Sequence, residues 1–135
     1  MIIHEKLKAM VAADATLTLA IGARFWPVEA PQTPTLPYVI YMLHEDALMT
    51  QNNALETCRP WKLYLYAFAG SSLAANQLGV LLRRFFCGYK HSSPGDVDSE
   101  IQAITIDTGL VDLERTPETK GFPCSLILDV WEQLT

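Results

Sequence analysis

From Leu63 to Leu82 the chain runs twenty residues without a charged side chain, and this run limits what the chain can fold into more than any other feature. Twenty apolar residues in succession would be long enough to span a bilayer. Here the run is interrupted by Gly70-Ser71-Ser72 and again by Asn76-Gln77, so it reads as a strand followed by a helix, with no membrane involved. Before the interruption, Trp61, Leu63, Leu65 and Ala67 alternate with Lys62, Tyr64, Tyr66 and Phe68, a period of two in residues that favour strands. After it the period lengthens. Ser71 or Ser72 opens a helix in which Ala74, Leu78, Leu81, Leu82 and Phe85 share a face, and Gly88 is placed to close it. With 135 residues, 50% of them hydrophobic and 19% charged, the chain can fill one core of its own, and a single domain over 1–135 is expected.

The remaining elements follow from the same periodicities. Ile3, Leu7, Met10 and Val11 recur at the spacing of one helical face. Asp14 can cap a short second helix through Leu17 and Ile21, which Gly22 ends by taking a left-handed conformation. Pro27, Pro31, Pro34 and Pro37 then follow at intervals of three or four. Proline has no N–H and disfavours helix before it, so this segment must run extended across the surface. Tyr38 to Leu43 is apolar on both faces, as in a central strand. Ile101 to Ile106, and Cys124, Leu126, Leu128 and Val130 set against Ser125, Ile127, Asp129 and Trp131, resume the strand pattern. The order is helix, strand, strand, helix, strand, strand, with a possible additional strand near Phe25. Strands joined by polar loops usually pair antiparallel. The expected fold is therefore α+β: an antiparallel sheet of four to five strands with two main helices packed on one face.

Composition and motifs exclude more chemistry than they suggest. A net charge of −5 and a pI near 5.0 argue against a nucleic-acid grip, which needs clustered Lys and Arg. Trp26, Tyr38, Tyr41, Trp61, Tyr64, Tyr66 and Phe68 lack the interleaved cations of a base-stacking platform, so core and subunit interface are the better assignments. Cys58, Cys87 and Cys124 are odd in number and far apart, as in reduced core thiols. His4, His44 and His91 have no ligand spacing among them. His44-Glu45-Asp46 is the densest polar trio, but adjacent strand residues point to opposite faces and do not converge. Asp96, Asp98 and Glu100 lack the order of a calcium loop. No glycine cradle or nucleophile elbow occurs. No catalytic residue, metal or cofactor is expected.

One stretch carries a resemblance. Ala15 to Ile21, Gly22, Arg24-Phe25-Trp26-Pro27, Ala30-Pro31-Gln32 and Leu36-Pro37-Tyr38-Val39-Ile40-Tyr41 resemble the opening of the phage tail-completion, or tail-terminator, family, which includes the minor tail protein U-like terminator of lambda-like phages. In that family a short helix ends in Gly, then come Arg, an aromatic and Pro, an Ala-Pro-Gln turn, and a Pro-Tyr strand. Gly22, Arg24, Trp26, Pro27, Pro31, Pro37 and Tyr38 are the structural motif here. The strand from Trp61, the helix with Ala74-Ala75 and the closing Asp129-Val130-Trp131 stand in the family's order. Pro60 and the segment from Gly88 to Glu100 depart from it.

The resemblance implies a structural virion protein without enzymatic activity. It would form a ring with copies of itself, hexameric by the family's habit, on the end of a long tail tube. The ring would end tube polymerisation and present a joining surface to the head-tail connector protein. Its partners would be itself, the tail tube protein and the connector, and DNA would slide through the lumen without specific binding, which an acidic chain favours. It would be located in the virion tail, and in the host cytoplasm during assembly. Two alternatives remain: a head-completion or neck protein of the connector, and a small-ligand-binding α+β domain. Between Glu45 and Thr57, Leu48, Met49 and Leu55 stand among polar residues with Asn52-Asn53 at a probable turn. Apolar residues on a long connector mark an interface, so Leu48, Met49, Asn52, Asn53 and Leu55 are the candidate subunit contact.

Overall fold

The computed structural model describes residues 3–32, 34–45, 58–89, 101–114 and 121–133. Within them the chain forms α1 (Ile3–Ala13), α2 (Ala15–Ile21), β1 (Phe25–Pro27), β2 (Tyr38–Glu45), β3 (Cys58–Ala69), α3 (Ser72–Cys87), β4 (Ile101–Asp112) and β5 (Phe122–Gln133). The fold is α+β. Its five strands lie in one sheet in the order β1-β2-β3-β5-β4. Every pair is antiparallel except β1 with β2, which run parallel. The sheet is therefore mixed, and the expectation of an antiparallel sheet holds for the four long strands only. Since β3 and β4 each run antiparallel to β5, they run parallel to one another, so β3–α3–β4 is a split β-α-β unit with β5 inserted.

The helix boundaries have local causes. Asp14 caps α2, its carboxylate accepting from Leu17 N–H at 2.9 Å. Ser71 caps α3, its hydroxyl accepting from Ala74 N–H at 3.1 Å. At the other end of α3, Gly88 has φ −88° and ψ 4° and donates to the Arg84 carbonyl at 3.1 Å. A side chain there would bring its Cβ to 2.8 Å from that same carbonyl, and this close approach is what glycine permits.

Register puts one set of strand residues on a common face. Val39 pairs with Ala67, Tyr41 with Leu65, Leu63 with Leu128, and Leu65 with Leu126. All of them are buried, and they form one cluster with Ile3, Leu7, Met10 and Val11 of α1, Leu17 and Ile21 of α2, and Leu78, Leu82 and Phe86 of α3. The buried face of α3 is therefore Ala75, Leu78, Gly79, Leu82 and Phe86, rotated from the expected Ala74, Leu81 and Phe85, which are only partly buried. Gly79 explains the shift. A Cβ at that position would lie 2.7 Å from Leu110 Cδ2 and 3.3 Å from Cys124 Sγ, so the helix approaches the sheet through its smallest residue rather than through a leucine ridge.

Candidate functional site

Of the residues that carry the resemblance, Gly22, Arg24, Trp26, Pro27, Pro37 and Tyr38 lie at the junction of α2, β1 and β2. Gly22 N–H donates to the Thr18 carbonyl at 2.8 Å, ending α2, and the residue sits at φ 60° and ψ −128°. The positive φ was expected, but this ψ is outside the left-handed helical region and in one that a side chain disfavours still more. The chain turns sharply there. Arg24 then joins two strands: its Nε donates to the Pro37 carbonyl at 2.8 Å, and its own carbonyl accepts from Val39 N–H at 2.9 Å. Arg24 and Pro37 are thirteen residues apart in sequence, so one side chain fixes both ends of the proline segment.

The aromatics continue this unit. Trp26 lies against Tyr38, ring centroids 5.7 Å apart, and Tyr38 stacks on Phe68 at 4.8 Å. On the other side of β1, Phe25 stacks on Tyr41 at 4.4 Å, and the Tyr41 hydroxyl shares a 3.2 Å hydrogen bond with His4 Nδ1. Burial raises the pKa of both Tyr38 and Tyr41, which keeps the hydroxyls neutral. Pro27 pairs with Tyr41 in register, and the Leu36–Pro37 peptide is cis. Pro31 is exposed and Pro34 buried. The motif is thus a brace that ties the end of α2 to the sheet edge.

Val28 ends this brace under strain. It has φ 66° and is 66% exposed, a backbone conformation that a β-branched residue rarely adopts. Two hydrogen bonds hold it: Val28 N–H to the Tyr41 carbonyl at 2.9 Å, and Glu29 N–H to the Pro27 carbonyl at 2.7 Å, which closes a tight three-residue turn. Val28→Gly should relieve strain of about 1–3 kcal/mol while adding unfolded-chain freedom of about 0.5–1 kcal/mol. A net gain of about 1 kcal/mol in urea unfolding is expected; a loss would mean that the valine side chain packs favourably despite its exposure.

Periodicity gave no sign of a buried ion pair. Lys6 on α1 is 3% exposed and Glu132 on β5 is 6% exposed, with Lys6 Nζ 3.4 Å from Glu132 Oε2. Trp61 Nε1 donates to the other carboxylate oxygen at 3.1 Å. These residues are 126 and 71 positions apart from Glu132 in sequence, which is why no local pattern reveals them. On the opposite face of the sheet, Lys62 contacts Asp129 at 2.6 Å and Asp107 at 3.2 Å. The hydrogen bond that Lys62 donates to Asp129 holds the Lys62 pKa above its usual value, with desolvation opposing the effect and Asp107 adding to it.

The other sequence candidates do not assemble a reaction centre among the described residues. Desolvation by the surrounding protein raises the Cys87 thiol pKa, with Arg83 opposing, and raises that of Cys124, with Asp112 adding to it. Neither has the lowered pKa of a nucleophile. His44 and Glu45 are both exposed at the end of β2, opposite Lys62 and Trp61. Among the described residues, no three His, Cys, Asp or Glu are grouped as a metal site requires, and no helix is long and apolar enough to cross a membrane. A cleft of about 400 Å³ opens between α2, the proline segment and α3, and among the described residues of its lining Gln77 is the one polar side chain. Leu48, Met49, Asn52, Asn53 and Leu55 lie outside the described residues, as do Asp46, His91, Asp96, Asp98 and Glu100.

The class that these features define is an α+β domain with a mixed five-stranded sheet. No family model matches the chain, and no curated protein matches it. One solved structure, whose name states no function, is similar over 98% of this chain and 90% of its own, with 14% sequence identity and a TM-score of 0.47. Likeness at that level carries no functional argument.

Proposed function

We propose that this protein is a tail-terminator subunit of a long-tailed bacteriophage. In this reading it is a structural virion protein that closes into a ring with copies of itself on the finished tail tube, stops tube growth and offers the head-tail connector a surface. The observation that carries the reading is the α2–β1–β2 brace. Gly22, Arg24, Trp26, Pro27, Pro37 and Tyr38, on which the resemblance to the tail-completion family rests, come together as one built unit, with Arg24 Nε on the Pro37 carbonyl and Trp26 against Tyr38. Residues of such a motif belong to scaffolding, which suits a protein whose task is placement. The net charge of −5 suits a lumen through which DNA passes without sticking.

The test is tail length. Tails assembled without this protein should be overlong and variable in electron micrographs, and supplying it should restore one length. Tails of uniform length in its absence would sink the proposal. Tails of normal length that fail to join heads would assign the protein to the neck instead.

A further inference from the structure

We propose that copies of this chain associate head to tail, the outer face of α2 in one copy packing on the uncovered face of the sheet in the next. The proposal deepens the ring reading above by naming the two surfaces that meet.

The first surface is the side of the sheet away from the core. Register sets Ile40 beside Tyr66, Met42 beside Tyr64, and Tyr64 beside Ile127, with Phe68 continuing the row on β3. All six are half-buried, and none belongs to the core cluster, which gathers the buried side chains of the helices with the opposite face. Strands apolar on both faces are the pattern of a sheet covered on both sides, and among the described residues no helix covers this one. The four long strands β2, β3, β5 and β4, of 8 to 12 residues and about 4.8 Å apart, give a face on the order of 600 Å².

The second surface is α2. Its sequence holds no charged residue, and Leu17 and Ile21 face the core. Its outward positions are Ala15, Thr16, Thr18 and Leu19, and Leu19 is 90% exposed. A helix face made for water carries charge; this one does not. The two surfaces are unlike in shape, one a short helix and the other a sheet face. Contact between unlike patches is heterologous, and such contacts propagate or close into a ring.

Charge selects a second copy as the occupant. Exposed Lys8 lines a groove with Gly22 and Ala23 at the end of α2, and exposed Arg84 lines a second with Thr16 and Leu17, where Asp14 is the one carboxylate set against the two cations. The uncovered sheet face holds two carboxylates, Asp107 and Asp129, around one ammonium, Lys62. A flanked apolar helix and an apolar sheet of net opposite charge are complementary within one molecule.

The experiment uses the full chain and light scattering. Wild type should form assemblies of several copies. Leu19→Asp should be monomeric, as should Tyr64→Lys, with Met42→Lys as the substitute if Tyr64→Lys does not give the wild-type circular dichroism spectrum. Mixing the α2 variant with the sheet variant should yield a one-to-one dimer and nothing larger, because each retains one intact surface. Wild type that stays monomeric, Leu19→Asp with wild-type mass, or a mixture that stays monomeric would each overturn the proposal. Assembly as described in a protein that leaves tail length unchanged would overturn the proposed function and leave this inference standing.

Discussion

Replacing Glu132 with alanine is expected to lower the unfolding free energy by about 3–5 kcal/mol, the range for breaking a buried pair from one side. The variant removes the carboxylate that Lys6 and Trp61 share, while Lys6 stays 3% exposed on a helix packed into the core. A charge kept from water with its main counter-charge gone is far less stable than the pair. The pair itself contributes little, because desolvation of both ions opposes their attraction. Lys6→Met combined with Glu132→Leu should therefore recover most of the lost stability. Urea unfolding of wild type, the single variant and the double variant measures this. A single variant that loses less than about 1 kcal/mol would place Lys6 in contact with water through local opening.

The second large effect is expected on α3. Leu82→Ala should destabilise by about 2–5 kcal/mol, since a fully enclosed leucine leaves a cavity that neighbours refill only in part. Leu82 is 1% exposed and lies in the same cluster as Leu63, Leu65 and Leu128. Leu81→Ala should cost distinctly less, because Leu81 packs against that cluster from its margin and lines the apolar cleft. Equal losses at the two positions would mean that the helix is seated about a quarter-turn from where Gly79 places it. Denaturation midpoints of the two variants, at an unchanged slope, decide it.

That quarter-turn shows how far the sequence could be read. Apolar spacing in 72–87 announced a helix and its general face, since residues three and four apart share a side whatever surrounds them. It named Leu81 and Phe85 together with Leu78 and Leu82, because a hydrophobic pattern rewards large residues, and only the latter two are buried. The sheet selected the stripe through Gly79, where the backbone can come nearest to Leu110 and Cys124. Close approach is a property of two surfaces, and one of them was not in view.

The same division runs through the rest of the molecule. Sequence alone determined the four long strands, the cap at Asp14, a cap at Ser71 or Ser72 and the turn at Gly22, because each depends on contacts within a few residues. It placed the proline segment across the surface, whereas Pro34 is buried. It also determined that aromatics would serve packing, as Phe25 on Tyr41 and Tyr38 on Phe68 do. Only the tertiary structure decided that β5 enters between β3 and β4, that β1 runs parallel to β2, that Arg24 reaches Pro37, and that Lys6 meets Glu132. Each of these joins residues far apart in the chain. Their pairing is set by which faces remain to be covered once local elements exist, and periodicity within an element holds no information about its neighbour.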